Sequence, residues 1–285
     1  MEIIFYFAYK YKDKMEINEL LEISSELKES IRTYISENAD YGEVIATRAR
    51  DVTRKIDMFA ERALEKALSS RGLCARIISE ELGDHIFPKG DGNEPKFTLI
   101  FDPIDGSTNA ILGIPFFCSS IAYLPKVEHL TFDDIQASVV TTIQGRTYYA
   151  VKGGHAFVDG KKLPRKVKGK TKQVFSIYTY GADSIPEGLI EFQKRNKNVV
   201  IRVLGSIAME ICLVAEGVMD AAIDVRGLIS GYDIAGAVLI LNEAGGIITD
   251  SKGKKLREGV EKTQNISLIA ALEPEIHKRM LSLVV

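Results

Sequence analysis

Apolar residues recur at helical spacing in two stretches near the start of the sequence. In residues 16–37 and again in residues 53–69 they fall at every third or fourth position, which predicts two amphipathic helices. Residues 38–50, which connect the helices, have no clear period and carry Arg48 and Arg50. We interpret this connection as a solvated loop, with a mobile lid whose arginines contact phosphate as the alternative.

The rest of the chain changes from a series of strand-like runs to an alternation of strands and helices. Short apolar runs rich in β-branched and aromatic residues, bounded by turn-forming residues, predict the strands. The predicted strands are 76–79, 97–101, 116–123, 135–143, 147–152, 174–180, 199–203, 221–225, 246–249 and 266–271, with a hairpin at Asp159-Gly160. The later predicted helices are 186–196, 207–216, 233–244 and 274–283. This order predicts an α/β fold, with an α+β N-terminal half and an α/β C-terminal half that contains a mixed sheet.

The change of pattern near residues 168–172 also predicts the domain organisation. We expect an N-terminal domain of residues 15–170 and a C-terminal domain of residues 171–285. Residues 1–14 are expected to be an extension with no catalytic role, because they carry no candidate chemistry.

Composition argues against several functional classes. The chain of 285 residues has a net charge of −2, which argues against a general nucleic-acid surface. Its three cysteines show no C-x-x-C spacing and its four histidines are dispersed, which argues against a zinc site and favours a reducing, cytoplasmic compartment. No apolar run reaches the roughly 18 residues that a membrane helix needs.

The strongest chemical signal is an acidic turn directly after the predicted strand 97–101. It reads Asp102-Pro-Ile-Asp-Gly-Ser-Thr-Asn109. Its two aspartates supply hard anionic oxygens of the kind that Mg²⁺ binds. The backbone N–H groups from Gly106 to Thr108 are candidates for binding an anion at the start of a helix. One short segment therefore offers a place for both a metal ion and a phosphate group.

The same residue types are also ordinary in an acidic, capped turn that has no function. An EF-hand calcium loop is excluded, because the first and twelfth positions around Gly106 would be apolar. A metal site requires further carboxylates that converge on the turn. Glu80 and Glu81 follow another predicted strand, and Asp233 opens a predicted helix, so such carboxylates are present.

Three motifs, in the same order along the chain, resemble those of the inositol monophosphatase family. They are Ser79-Glu-Glu81, the segment Asp102–Asn109, and Tyr232-Asp-Ile-Ala-Gly-Ala237 followed by Glu243-Ala-Gly-Gly246. The sequence is most similar to the archaeal branch that combines inositol-phosphatase and fructose-1,6-bisphosphatase activity. This resemblance implies a layered αβαβα sugar-phosphatase fold, Mg²⁺-dependent hydrolysis of phosphate monoesters by a metal-activated water, and a homodimer.

The resemblance also implies roles for individual residues. Two to three Mg²⁺ ions per site, with Mn²⁺ as an alternative, would be held by Glu80, Asp102, the carbonyl of Ile104, Asp105 and Asp233, with Asp102 bridging two ions. The residues acting on the nucleophilic water would be Asp57, Glu81 and Ser107. The substrate would be bound by Asp105, Gly106 and Ser107, with the amides of Gly106 and Ser107 donating to its phosphate. The family usually has threonine at the position of Ser107, and the serine keeps the hydroxyl. Taken alone, Asp57 would be an ordinary helix-end charge.

The substrate is predicted from residues outside the acidic motifs. Arg226 lies seven positions before Asp233, where animal-type family members carry a glutamate that accepts a sugar hydroxyl. A guanidinium instead matches a second phosphate, which favours fructose 1,6-bisphosphate beside inositol 1-phosphate. Arg202 matches a sugar-phosphate contact of the archaeal bisphosphatases, and Ile207 would line the same pocket. For each arginine the alternative is a surface ion pair, which contributes little.

Two other functions stay open from the sequence. The first is a 3'-phosphoadenosine 5'-phosphate phosphatase, which would share the fold and the metals and would also need a nucleotide pocket. The second is a phosphosugar-binding protein without catalysis, which should have lost at least one metal carboxylate. All of the matched carboxylates are present in this chain.

Overall fold

The computed structural model describes residues 15–47, 52–90, 92, 94–181, 186–257, 259–261 and 265–284. The extension of residues 1–14 and the two arginines of the expected loop, Arg48 and Arg50, lie outside the described residues.

The N-terminal half contains three helices and ten strands among its described residues. In chain order they are α1 (Ile17–Glu37), β1 (Val44–Thr47), β2 (Val52–Arg54), α2 (Lys55–Ser70), β3 (Ala75–Ser79), β4 (Gly83–Phe87), β5 (Thr98–Asp105), α3 (Ser107–Leu112), β6 (Cys118–Leu124), β7 (Ala137–Thr142), β8 (Thr147–Val151), β9 (Ala156–Val158) and β10 (Lys161–Lys162). Strands β3 to β10 form one sheet with the order β10-β9-β8-β7-β6-β5-β3-β4. Only the pairing of β3 with β5 is parallel in this sheet of described strands.

The C-terminal half contains a second mixed sheet. Its elements are β11 (Gln173–Ile177), α4 (Glu187–Arg195), β12 (Val199–Ile201), α5 (Ile207–Glu216), β13 (Ala221–Ile229), α6 (Gly231–Glu243), β14 (Ile247–Thr249), β15 (Ile266–Ala271) and α7 (Pro274–Leu281). The sheet order is β12-β11-β13-β15-β14, with β11 parallel to both neighbours and β15 antiparallel to both of its own.

Buried apolar side chains join these elements into five layers. Leu20 of α1 and Leu64 of α2 pack on one face of the eight-stranded sheet. Helices α5 and α6 lie between the two sheets, and Ile240 of α6 belongs to the same cluster as side chains of both. Helices α4 and α7 cover the outer face of the five-stranded sheet, where Phe192 and Met280 pack. The predicted α/β fold and its αβαβα layering are confirmed.

The two halves share the cluster formed around α5 and α6. The last strand of the first sheet ends at Lys162 and the first strand of the second begins at Gln173. The boundary between residues 170 and 171 stays a prediction. None of the helices in the described part of the chain is both long and apolar enough to cross a membrane.

Two local predictions were wrong. Strand β5 does not end at Phe101 but continues through Asp105, with a register shift between Asp102 and Asp105. Pro103 is tolerated inside this strand because a bulge does not require its missing N–H. Part of the expected loop after α1 is instead a hairpin, in which β1 pairs antiparallel with β2.

Candidate active site

The acidic motif folds as a strand, a single-residue bend and a short helix. Gly106 follows the end of β5 with a φ of +92°, a left-handed conformation that glycine adopts without strain. A Cβ added at Gly106 would also lie 3.1 Å from the carbonyl oxygens of Phe116 and Gly205. Ser107 then begins α3. Glycine is therefore required at the point where the chain turns from the carboxylates to the candidate phosphate-binding amides.

Asn109 ties this motif to the loop before α5. Its Nδ2 donates hydrogen bonds to the carbonyl oxygens of Phe116 at 2.7 Å and Leu204 at 2.6 Å. The side chain is 8% exposed, so these two bonds satisfy a buried amide. They hold Gly205 and the start of α5 beside α3. We found no role for Asn109 from the sequence alone.

Asp105 connects β5 with the first turn of α5. Its Oδ2 accepts hydrogen bonds from Ser206 Oγ at 2.6 Å and from the backbone N–H of Ala208 at 2.7 Å. Burial raises the pKa of Asp105 to about 6, although these hydrogen bonds oppose the increase. A carboxylate at this point is also favoured by the dipole of α5.

Asp57 and Asp233 occupy equivalent positions in two helices. Each lies in the first turn of its helix, α2 or α6, and its Oδ2 accepts a backbone N–H from three residues earlier. The donor is Arg54 at 3.0 Å for Asp57 and Ser230 at 2.7 Å for Asp233. This half of a capping box fixes both carboxylates. Since α2 and α6 lie on opposite faces of the eight-stranded sheet, the two side chains approach the end of β5 from different layers.

The carboxylates converge on Asp102, which is 2% exposed. Burial raises the pKa of Asp102 well above its ordinary value, and the nearby negative charges of Asp105, Asp233 and Asp57 raise it further. A hydrogen bond with Glu80 acts in the opposite direction. The structure therefore brings together five of the acidic residues that the sequence singled out.

Glu81 lies behind this cluster and is 7% exposed. Its Oε2 accepts a 2.5 Å hydrogen bond from Thr53 Oγ1, and its backbone N–H donates to Glu61 Oε1 at 3.2 Å. Sequence reasoning missed Thr53 and Glu61. The available signal was the spacing of Asp57 and Glu61, which places two acidic residues one turn apart on the apolar face of α2.

A cavity of about 190 Å³ opens beside the cluster. The predicted site residues that line it are Glu80, Asp102, Ile104, Asp105, Gly106, Ser107, Ile207, Arg226 and Asp233. Among the described residues, the lining that the sequence did not predict consists of Tyr178, Tyr180, Gly205, Asp224, Leu228 and Ile229. Tyr178 and Tyr180 are two positions apart, as are Asp224 and Arg226. That period-two spacing was the available signal, because such pairs share one face of an extended segment.

Arg202 is not among the residues that line this cavity. Its side chain is exposed, and Nη1 donates a 2.8 Å hydrogen bond to the carbonyl of Ile201. The structure therefore does not bring Arg202 together with Arg226, and its contact with a sugar phosphate stays a prediction.

Arg226 is a half-buried member of an ion pair within the cavity wall. Its Nε and Nη2 donate to the two carboxylate oxygens of Asp224 at 2.9 and 2.6 Å, and Nη1 donates to the carbonyl of Tyr180 at 2.9 Å. The guanidinium carbon lies 4.7 Å from the ring centre of Tyr178 and 4.5 Å from that of Tyr180. The forked edge that the sequence suggested for a second phosphate already binds Asp224. Recognition of a second phosphate would therefore depend on the remaining N–H groups of Arg226.

The acidic cluster suits a hard divalent cation. Asp102 Oδ1 is buried without a hydrogen-bond partner among the described atoms, and every candidate ligand is an oxygen. Within the described residues, no three His, Cys, Asp or Glu side chains are already gathered closely enough to hold an ion. Asp57, Asp105 and Asp233 instead each direct an oxygen to a backbone N–H. Because the acidic side chains are not yet gathered closely enough, metal binding would require them to move towards Asp102.

Comparison with known proteins establishes the family. Residues 13–285 match the sequence model of the inositol monophosphatase family. The chain belongs to this family. The protein is accordingly a phosphomonoesterase of the inositol monophosphatase family, whose enzymes are metal-dependent. The recognition made from the three motifs is confirmed.

Individual relatives show the level of similarity. A fructose-1,6-bisphosphatase/inositol-1-monophosphatase of Methanocaldococcus jannaschii is 33% identical over 259 residues, which cover 89% of this chain and 93% of the relative. A bifunctional NADP phosphatase/NAD kinase of Methanococcus maripaludis is 30% identical over 278 residues and 92% of this chain. The chain spans about half of the length of that relative, 48%. A solved inositol monophosphatase–fructose 1,6-bisphosphatase superimposes with a TM-score of 0.75 at 28% identity, covering 94% of this chain and 100% of the other.

Proposed function

We propose that this family member is a Mg²⁺-dependent phosphatase of sugar and polyol phosphates, with fructose 1,6-bisphosphate and inositol 1-phosphate as substrates. The observation that carries the proposal is the shared cavity, in which the buried cluster around Asp102 faces the same space as Ser107 and Arg226. The names of archaeal relatives, which include both activities, support the same substrates.

Two to three bound Mg²⁺ ions, or Mn²⁺ ions in their place, would activate the attacking water and offset the negative charge of the phosphoryl oxygens. The residues that would hold the ions are Glu80, Asp102, Ile104 through its carbonyl, Asp105 and Asp233. Their carboxylates repel one another when no cation is bound, which makes cation binding favourable.

The remaining residues would bind and orient the reactants. The hydroxyl of Ser107 and the carboxylate of Asp57 would accept hydrogen bonds from the attacking water and orient it, while Glu81 supports them from behind. The backbone N–H groups of Gly106 and Ser107 would donate to a phosphoryl oxygen. The water oxygen would form a bond to phosphorus as the ester P–O bond breaks, and one proton of the water would be transferred to the departing alkoxide. Holding water and ester in this arrangement lowers the entropic part of the barrier.

A nucleotide substrate is the second candidate, and Tyr180 favours it. This side chain is 57% exposed at the cavity and lies against the Arg226 guanidinium, and its exposed part would stack on a base. Both NADP and 3'-phosphoadenosine 5'-phosphate carry a phosphate monoester on the ribose next to adenine. Two relatives are named NADP phosphatase/NAD kinase, which adds support for the NADP form.

Phosphate release from a panel of esters tests both candidates. The panel contains fructose 1,6-bisphosphate, inositol 1-phosphate, NADP and 3'-phosphoadenosine 5'-phosphate, each with Mg²⁺ and with EDTA. We expect Mg²⁺-dependent release, with the sugar and inositol esters preferred. Preference for the two nucleotides would replace the first candidate with the second. Binding of the sugar phosphates without release would indicate the non-catalytic alternative.

A homodimer and a cytoplasmic location stay predictions. The first follows from the family resemblance, and the second from the three dispersed cysteines, all of which are buried. Gel filtration of the purified chain at several concentrations tests the dimer.

A further inference from the structure

Glu61 is a buried carboxylate that the proposed chemistry does not use. It lies on α2, one turn after Asp57, and is 1% exposed. Among the described residues, Glu61 forms no ion pair with a lysine, arginine or histidine. A carboxylate held away from both water and cations is unfavourable unless hydrogen-bond donors surround it. The hydrogen-bond donors near Glu61 are therefore the groups that explain an acidic residue at this position.

These donors belong to the turn that carries the predicted ligand Glu80. Glu61 Oε1 accepts the backbone N–H of Glu81 at 3.2 Å, and the nearby Ser79 hydroxyl and backbone N–H of Leu82 also stabilise the charged form of this carboxylate. On the other side, the backbone N–H of Glu80 donates to the carbonyl of Phe101 at 3.3 Å. The backbone around Glu80 is thus held by β5 before it and by α2 after it.

The side chain of Glu81 is held by the same part of the chain. Thr53, in the middle of the short strand β2 that precedes α2, donates its hydroxyl to Glu81 Oε2 at 2.5 Å. The segment that carries Asp57 therefore contacts both the backbone and the side chain of the Glu80-Glu81 pair. Because Asp57 and Glu61 share one rigid helix, this contact sets the distance between Asp57 and the pair.

We propose that Glu61 is a positioning residue, which holds the Glu80-Glu81 turn against α2 and thereby orients these carboxylates towards Asp57 and Asp102 for cation binding. A carboxylate suits this task because both of its oxygens accept hydrogen bonds. An amide at the same place would offer one acceptor and would turn its NH₂ group towards a backbone donor. The inference rests on the proposed function for its effect on turnover, but its effect on cation binding stands independently.

The test is the Glu61→Gln variant, which keeps the volume of the side chain. We measure the dissociation constant of Mg²⁺ by calorimetry without substrate, and the half-saturating Mg²⁺ concentration and kcat of phosphate release. Loss of a residue that orients metal ligands typically weakens metal affinity or activity by about 10–100-fold. We expect a loss of that size in Mg²⁺ affinity, with the circular dichroism spectrum unchanged.

Glu216→Gln is the matched control. Glu216 is fully buried like Glu61, but it pairs with Arg146 and Tyr148 at the opposite end of α5 from the cavity residue Ile207. This control should lose stability and retain the wild-type affinity for Mg²⁺. A merely structural role for Glu61 predicts the same behaviour for Glu61→Gln, so Mg²⁺ affinity within twofold of wild type would overturn the proposal.

If Glu61→Gln does not fold, Glu61→Asp takes its place, because it keeps the charge and moves the acceptors by one methylene group. For Glu61→Asp too, Mg²⁺ affinity within twofold of wild type would overturn the proposal. If neither variant folds, Glu61 has a structural role and the positioning role is also overturned. If the wild type binds Mg²⁺ and releases phosphate from none of the esters, the proposed function fails. The comparison of Mg²⁺ affinities then still decides the role of Glu61.

Discussion

The Asp105 carboxylate accepts a 2.7 Å hydrogen bond from the backbone N–H of Ala208. Asp105 ends β5 of the eight-stranded sheet, and Ala208 lies in the first turn of α5, between the two sheets. The acidic cluster is therefore hydrogen-bonded to α5, in the helical layer between the two sheets. The five-stranded sheet on the other side of that layer carries Arg226. A cation that draws Asp105 towards Asp102 would also act on the start of α5.

Mg²⁺ is expected to stabilise the whole protein, because Asp105 joins the proposed cation site to α5 between the two sheets. The cation would relieve the repulsion among the clustered carboxylates, and a ligand at a hundred times its dissociation constant adds about 2.7 kcal/mol to the free energy of unfolding. We expect the melting temperature to rise by several degrees between EDTA and millimolar MgCl₂. NaCl at equal ionic strength is the control. Melting that does not change across the Mg²⁺ titration would contradict cation binding at this cluster.

Glu210 should make the stability of the metal-free protein depend on pH. It is fully buried and accepts a 2.8 Å hydrogen bond from Ser176 Oγ, and burial raises its pKa from 4.5 to about 7. The folded protein thus keeps this proton to a higher pH than the unfolded chain does. The resulting stabilisation is complete below pH 4.5 and is lost as the pH rises through about 7.

Urea unfolding in EDTA at a series of pH values, for wild type and Glu210→Gln, isolates this contribution. The variant cannot titrate at this position, so its free energy of unfolding should fall less between pH 4.5 and 7 than that of the wild type. Parallel curves for the two proteins would show that Glu210 does not carry the effect.

Arg226 should favour substrates that carry two phosphate groups over substrates that carry one. Removing it alone would leave Asp224, which is 1% exposed, as an uncompensated buried charge, with a penalty of about 3–5 kcal/mol in stability. The informative variant is therefore Arg226→Met combined with Asp224→Asn. For fructose 1,6-bisphosphate we expect kcat/KM to fall by roughly ten- to a hundredfold, the value of a charge-assisted hydrogen bond.

Inositol 1-phosphate lacks a second phosphate, so its kcat/KM should change little in the same double variant. Asp224→Asn alone keeps the guanidinium and serves as the control for the lost carboxylate. Equal losses on both substrates would indicate a general structural effect instead of recognition of the second phosphate.

Tyr180→Ala separates the two candidate substrate classes. If the exposed ring stacks on a base, its loss should weaken NADP turnover by an amount equivalent to about 1–3 kcal/mol, mostly through KM. The inositol ester should be nearly unaffected, because an aliphatic ring gains little from stacking. Tyr180→Phe keeps the ring and is expected to behave like wild type. Similar losses for all esters in Tyr180→Ala would show that the ring acts by supporting Arg226.

Much of the fold follows from local patterns in the sequence. The helix α5 and the strand β15 have the predicted bounds, because their apolar residues face one continuous core and their ends coincide with turn-forming residues. Strand β4 was missed because its positions are only partly buried or exposed, so no apolar run marks it. Its place in the sheet depends on pairing with β3, which is a long-range contact.

The sequence predicted the part of the candidate site that is formed by residues of the acidic motifs and Asp57. The convergence of Asp57, Glu80, Asp102, Asp105 and Asp233 was expected and is found. The pairing of Arg226 with Asp224 was not expected, because side-chain geometry decides which of several neighbours a guanidinium contacts. The exposed placement of Arg202 was also unexpected, since a match in spacing does not determine which way a loop faces.

The most direct test of the account is phosphate release by Asp102→Asn at saturating Mg²⁺, compared with wild type. Asp102 lies at the centre of the cluster, and the amide keeps its volume while removing one of several mutually repelling charges. We therefore expect a folded protein that melts no lower than the wild type in EDTA. Its kcat should fall by about 10²–10³-fold or more, as for loss of a central electrostatic group, and Mg²⁺ should no longer raise its melting temperature. Turnover within tenfold of wild type would show that the catalytic site lies elsewhere.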